Sequence, residues 1–469
     1  MTRLWVLVWL SGCTFSLPRS PDVLVVVLDG VRADRLATFG APRATSNQLD
    51  AIASAGVAFH DATASGAWSW PGHASLFTGE PPWVHGAHWA SPADASSEEP
   101  GTVTVTAMRS EIPTLAERFE GAGYRTVALT SNAMLKPDHG LTRGFATVES
   151  YGSDDRVVAA AESQLGEPDP RPVFMVVTLS AAQGPLQLTP LAPWANKHRR
   201  MLHRKHAPDW VKRHRVDSIP PALDLVTRTA PSSRTGEESF ARGALNLSEF
   251  DLDFVRDLYD GELLQLDRSL GELVGAWNRS ERGSGIIAVT SSSGTMLGEE
   301  GLLGDGVRFT AVSNRVPLVV AAPGRLDAGV DVYTPVQMRE LHPTLLDLSG
   351  VESSASGSLV SVLSGEARTA PIQSAVWPNP TFVRNVGQRF SEGQRLHREG
   401  SVAVLLDGTG KAKRVDLTQQ TGSVDVDPSA SSDPVIQRAR SAFGDDGPST
   451  VVTVPDHDVA LRQAMVLVD

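Results

Sequence analysis

Residues 23–28 read VLVVVL and are closed by Asp29 and Gly30. Six apolar residues without alternation predict a strand covered on both faces, as in a parallel sheet. Comparable runs recur at residues 126–130, 173–179, 286–290 and 316–321. Helical patterns lie between them. Residues 114–122 follow Pro113, and the longest pattern, residues 252–277, sets Leu252, Val255, Tyr259, Leu263, Leu266, Leu270, Leu273 and Trp277 three or four apart, one apolar stripe. Strands alternating with helices predict an α/β fold with a central, mainly parallel sheet flanked by helices. Ligands of such sheets bind beyond the carboxyl ends of the strands, where Asp29 and residues 291–294 fall.

The chain has 469 residues, 41% hydrophobic and 20% charged, enough apolar material for a large core. Lys and Arg number 42 against 54 Asp and Glu, a net charge of −12, which argues against nucleic acid as a partner. Residues 91–106, beginning SPADASSEEPG, have the composition of a flexible surface excursion. Residues 197–215 carry eight Lys or Arg and four His; the pattern suits a solvated insertion, or a docking face for a phosphate-rich surface. After Gly350 the composition turns to Ser, Gly and short β-type runs such as residues 402–406, which predicts a smaller C-terminal α+β subdomain over 351–469, with residues 423–434 as a mobile linker.

The N-terminus is read apart from the fold. Arg3, the apolar run 4–10 and then Ser11, Gly12 and Cys13 resemble a bacterial lipoprotein signal, cut before a cysteine that becomes lipidated. The run is too short to span a bilayer. Cys13 is the only cysteine in the chain, so no intramolecular disulfide can form. The expectation is a signal and tether over 1–20 and a lipid on Cys13 as the membrane attachment. With Thr14 following, the protein is expected in the bacterial envelope, at the outer membrane, facing the periplasm or the surface.

Residues 67–79, AWSWPGHASLFTG, place a hydroxyl, a proline, a glycine and a histidine at the start of a predicted helix. Free backbone N–H groups there attract an anion, which makes Ser69 a candidate nucleophile; Ser before Trp-Pro is equally an ordinary helix cap.

These blocks together resemble sulfatases of the alkaline phosphatase superfamily. The likeness begins with PDVLVVVLDGVRADRLATFG at 21–40. It continues through ATSNQLDAIASAGVAFHDA, AWSWPGHASLFTG, GAGYRTVALTSNAML and GLTRGF, then LYDGELLQLDRSLGELV, LGEEGLLGDG, RVPLVVAAPG and HPTLLDLSGV. The resemblance implies an alkaline phosphatase/sulfatase-like sandwich, with a main domain over 21–350. It also implies ester hydrolysis at a divalent cation, calcium or magnesium, with a hydroxyl or formylglycine as nucleophile.

Position by position, Asp29 stands at the first metal-ligand place, but Gly30 replaces the second carboxylate. Ser69 stands at the nucleophile place with Pro71 after it, while His73 replaces the arginine of the modification signal. The late Asp-His pair becomes Ser292 and Ser293. Later histidines become Glu300 and Asp305, and the substrate-contacting histidine becomes Gln183. One carboxylate and several hydroxyls hold a hard dication weakly or not at all, since neutral oxygens do not offset its dehydration. The expectation is therefore a sulfatase fold with a degenerate metal site and little or no hydrolysis. Such a protein acts by binding an anionic glycan, a lipid head group or an envelope protein. The alternative is an active sulfuric or phosphoric ester hydrolase using Ser69, with Glu300 or Asp305 as substitute ligands.

Overall fold

The computed structural model describes residues 20–455 apart from 96–101, 138–139, 184–185, 187–188, 199–200, 202–246, 281, 283, 309, 311, 353–356, 367, 369, 409–410, 417–423, 427–432 and 444–449. Its centre is an eight-stranded sheet. The order across it is Val330–Val332, Val57–Phe59, Leu318–Ala321, Ile286–Thr290, Val23–Leu28, Val173–Leu179, Arg125–Thr130, Thr147–Ser150.

The apolar runs lack alternation because both faces of this sheet are covered. Leu24, Val26 and Leu28 point into one core with Met175, Val177, Ile287 and Val289. Val23, Val25 and Val27 point into the other with Phe174, Val176, Ile286 and Ala288. Each such side chain removed from water contributes about 1.5–3 kcal/mol, so the central strands are fixed in register by their own burial. The long helix Glu249–Arg279 covers the first face with its apolar stripe, from Leu252 through Tyr259 and Leu270 to Trp277. Ser248 caps it in a reciprocal box with Asp251. The helices Ser69–Thr78, Leu115–Gly121 and Leu341–Ser349 cover the second face. Leu115–Gly121 starts after Thr114, whose hydroxyl accepts from Glu117 N at 3.1 Å while Thr114 N donates back to the Glu117 carboxylate at 2.8 Å.

Leu318–Ala321 runs antiparallel to both neighbours, whereas every other pairing in this sheet is parallel. Among the described residues, short turns, a small hairpin of Met296–Leu297 with Leu303–Gly304, and the two-residue strand Arg315–Val316 lie between it and Ile286–Thr290, with no α-helix. Without a crossover helix the chain returns in the opposite direction.

The C-terminal part forms a five-stranded antiparallel sheet, Ile372–Val376, Gln394–Glu399, Val402–Asp407, Ala412–Asp416 and Val424–Val426, with the helix Pro434–Ala442 beside it. Its first strand is tied to the main domain by Ala375 N donating to Ser65 O at 3.0 Å. The last described strand, Val451–Pro455, leaves this subdomain and pairs with Thr102–Thr106.

That pairing corrects one expectation. Thr102–Thr106 is a strand with Val103 and Val105 in the core, not part of a flexible excursion. Its TVTVT alternation finds a partner strand some 350 residues away, and burial of the two valines follows. The linker expectation is corrected in part, since Val424–Val426 extends the small sheet and Pro434 opens a helix capped by Asp433. Cys13 and the signal segment up to residue 19, and nearly all of the basic stretch 197–215, lie outside the described residues. Among the described residues no helix is long and apolar enough to cross a membrane.

Candidate functional site

Four adjacent parallel strands, Ile286–Thr290, Val23–Leu28, Val173–Leu179 and Arg125–Thr130, end on the same side of the sheet. Their carboxyl ends deliver Ser291–Ser293, Asp29, Gln183 and Asn132 to one place. Asp29 follows its strand directly and is anchored by its own N–H donating to Leu179 O at 2.8 Å.

The Asp29 carboxylate is fully buried and surrounded by donors. Asn132 Nδ2 donates to Oδ2 at 2.7 Å, and the Ser292 hydroxyl donates to Oδ1. The Asn132 amide cannot be turned round, because its Oδ1 accepts from Met134 N at 2.9 Å. His73, also fully buried, places Nε2 3.7 Å from Asp29 Oδ1 and 3.3 Å from the Thr178 hydroxyl. Its Nδ1 lies 2.9 Å from Ser69 O; a carbonyl only accepts, so Nδ1 carries a proton.

Ser69 is the first residue of the helix Ser69–Thr78, with Trp68 at the N-cap. The helix start is held by aromatic side chains. Trp70 Nε1 donates to Thr106 O at 2.9 Å, and Trp68 stacks on Trp89 at 3.7 Å between ring centroids. Trp89 Nε1 in turn donates to Gly306 O at 2.7 Å, and Gly306 N donates to Ala67 O at 2.9 Å. These bonds dock the turn that carries Asp305 against the start of the helix. Gly72 is required here, since a Cβ on it would stand 2.2 Å from Ser292 O.

Gln183 joins the remaining pieces. Its Nε2 donates to the Ser69 hydroxyl oxygen at 2.5 Å and lies 3.2 Å from Asp305 Oδ2. Its Oε1 is buried without a hydrogen-bond partner among the described residues. The turn leading to it is fixed by Asp154, which accepts from Ser180 N at 2.9 Å and Ala181 N at 3.1 Å. Gly30 makes room for it: φ is +74° there, and a Cβ would meet Gln183 Cγ at 2.8 Å. The Tyr259 hydroxyl donates to the Gly30 carbonyl at 2.7 Å, and the hydroxyl oxygen of Tyr259 accepts from Arg32 N at 3.0 Å. Burial pushes the Tyr259 hydroxyl up from its ordinary value, which keeps it a donor.

The other candidates are placed as follows. Ser293 is fully buried; its carbonyl accepts from the Ser291 hydroxyl at 2.6 Å, and its own hydroxyl has no partner among the described residues. Glu300 is exposed, in a left-handed turn at φ 53°, and no contact joins it to Asp29 or Ser69 among the described residues. Its neighbour Glu299 instead pairs with the buried guanidinium of Arg32 at 2.7 Å, and Arg32 also grips Asp34. Burial works against the Arg32 charge, but Asp34 and Glu299 outweigh it and hold the group above its ordinary value. Burial likewise works to raise the Glu299 carboxyl, yet Arg32 and the Leu297 N–H bring it below the usual range. The sequence reading brought out neither Asn132 nor Asp154, and took Tyr259 only as part of an apolar stripe. Their one signal was position, since Asn132 lies two residues past the end of a predicted strand.

The gathered site thus holds Asp29, Asn132, Ser292, His73, Ser69, Gln183 and Asp305. Among the described residues no group of three or more His, Cys, Asp or Glu side chains is placed to hold a metal ion. A family model described as Sulfatase matches residues 21–351. A choline-sulfatase from Rhizobium meliloti (strain 1021) is 32% identical over 134 residues, 27% of this chain and 26% of that protein, so the match spans about a quarter of the curated relative. Among solved structures, a 2-O GAG sulfatase is similar with a TM-score of 0.64 at 18% identity, covering 91% of each chain. The phosphonate monoester hydrolase of Agrobacterium radiobacter is similar with a TM-score of 0.63 at 18% identity, covering 90% of this chain and 94% of that one. At such identities the structural likeness concerns the fold.

Proposed function

The chain belongs to the sulfatase family, and from that premise we propose that it is an envelope protein with little or no ester hydrolysis, acting by binding through the family's old cleft. The observation that carries this is the state of Asp29. Both of its carboxylate oxygens are already met by neutral donors, Asn132 and Ser292. The family implies a divalent cation at these strand ends, and the residues present do not fit one. The second carboxylate position is Gly30, pressed against Gln183, and the late ligand positions are hydroxyls, of which one is donating to Asp29. A dication that sheds its water needs several charged oxygens in return.

The nucleophile position supports the same reading. Activating a serine takes a base that receives its proton. His73 Nδ1 is bonded to the Ser69 backbone carbonyl, its Nε2 faces Thr178 and Asp29, and Ser69 Oγ accepts from an amide. No group among the described residues accepts the Ser69 hydroxyl proton. One observation favours the alternative, active hydrolysis with Asp29 and Asp305 as ligands: Gln183 links Asp305 to Ser69.

The deciding experiment uses protein lacking the residues before Thr14. Its metal content and its turnover of aryl sulfates and phosphates are compared with Ser69→Ala and Asp29→Ala. The expected result is a substoichiometric metal content and turnover unaffected by either substitution. Turnover abolished by either substitution would overturn the binding reading.

The proposal extends to location and partner. A lipid on Cys13 anchors the protein at the outer membrane, facing the periplasm or the surface, where a glycan, a lipid head group or an envelope protein is the ligand. Its support is the Leu-Ser-Gly-Cys sequence ending at Cys13. Cys13→Ser should move the protein from the membrane to the soluble fraction, and an unchanged membrane fraction would count against the anchor.

A further inference from the structure

We propose that the Ser69 hydroxyl and the Gln183 carboxamide form a recognition subsite for an uncharged alcohol, a hydroxyl of a polyol or sugar, in preference to its sulfate or phosphate ester. This rests on the binding reading above and names its ligand class.

The orientation of Gln183 is dictated by chemistry. A carboxylate only accepts, so the Gln183 NH2 must face Asp305, and the same nitrogen donates to Ser69 Oγ at 2.5 Å. That leaves Oε1 as an acceptor without a partner among the described residues, on a residue that is 9% exposed. Ser69 is in the complementary state. Its oxygen is used as an acceptor, and its proton has no acceptor among the described residues. Nε2 and Oε1 sit on one carbon, so Oε1 lies within about 5 Å of Ser69 Oγ, a gap that one oxygen atom at hydrogen-bond distance from each can span.

An alcohol oxygen satisfies both groups at once, giving its proton to Gln183 Oε1 and taking the Ser69 proton. A sulfate or phosphate oxygen without a proton can do only the second. It would set a lone pair against Oε1, with the Asp305 carboxylate, 3.2 Å from Gln183 Nε2, adding to the repulsion. Sites built around a paired donor and acceptor reject a ligand lacking one partner strongly, by tenfold or far more. Gly30 is part of the subsite, because the space its missing Cβ leaves is where Gln183 Cγ lies.

Glycerol and methyl sulfate are small enough to test the chemistry free of any particular ring. In 15N-labelled protein the Gln183 side-chain amide resonances, assigned by their loss in Gln183→Ala, are followed while each compound is titrated. Glycerol should shift them saturably, and methyl sulfate should bind at least tenfold more weakly. Ser69→Ala should weaken glycerol at least tenfold with the backbone spectrum retained. Gln183→Asn, which keeps an amide but shortens its reach, should lose glycerol binding as well. Gln183 resonances unmoved by glycerol, or methyl sulfate bound as tightly as glycerol, would overturn the subsite. Aryl sulfate turnover by the same sample would instead overturn the binding reading, so the two failures are distinguishable.

Discussion

Replacing Asn132 with alanine tests whether Asp29 is now held by hydrogen bonds in place of a cation. In the native protein Asn132 Nδ2 donates to Asp29 Oδ2 at 2.7 Å, and Asn132 Oδ1 accepts from Met134 N at 2.9 Å. Both residues are fully buried, so water cannot take over either role without opening the core. A hydrogen bond to a charged group contributes about 1.5–3 kcal/mol, and a neutral one about 1 kcal/mol. Asn132→Ala should therefore cost roughly 3 kcal/mol, read as a lowered urea midpoint at unchanged slope. Ser292→Ala removes the donor on Oδ1, and the two losses should be non-additive because they strip one carboxylate. Millimolar calcium or magnesium should restore none of the loss. If Asn132→Ala costs less than about 0.5 kcal/mol, or if either ion restores the midpoint, Asp29 is acting as a metal ligand and the reasoning fails.

Three further outcomes are expected. Gly30→Ala puts a Cβ 2.8 Å from Gln183 Cγ at a φ of +74°, and should destabilise by about 1–2 kcal/mol, with part of that recovered in Gly30→Ala/Gln183→Ala; equal urea midpoints for single and double variants would refute the contact. Burial pulls His342 down to about 4 from 6.5, so the unfolded chain binds a proton that the folded one refuses between those values. Stability is then complete above the unfolded value and falls as pH drops from 6.5 towards 4, by up to roughly 3 kcal/mol, and His342→Gln should flatten that fall in urea midpoints measured across this range. Ending the chain at residue 449 removes Val451–Pro455, exposes the ladder groups of Thr102–Thr106, and should promote self-association visible by light scattering; a monomeric, fully stable truncation would show the pairing to be dispensable.

The central strands were legible because burial on both faces forces an unbroken apolar run, and residues 23–28 carry no other message. The direction of Leu318–Ala321 was not legible, since it depends on the absence of a crossover helix and not on the strand's own residues. TVTVT at 102–106 has a readable alternation, but the polar SPADASSEEPG before it set the composition of the window, and its partner lies at the far end of the chain. At the site, Asp29, Ser69 and Ser292 were found from their places after strands or before a helix. Asn132 was missed because a lone asparagine in a loop has no periodicity; its role arises only when the sheet order sets residues 125–130 two strands from residues 23–28. Glu300 and Glu299 are indistinguishable as letters. A left-handed turn at Glu300 sends one to solvent, and Glu299 meets Arg32.

The strap formed by Val451–Pro455 also has a meaning in time. It completes the small sheet whose Thr106 carbonyl steadies Trp70, the second residue of the helix that begins with Ser69. A ribosome delivers that strap well over 300 residues after Ser69, so the start of the helix stays without its full support until then. Early segments are thereby kept from settling into a finished cleft until residues 451–455 have been made and paired.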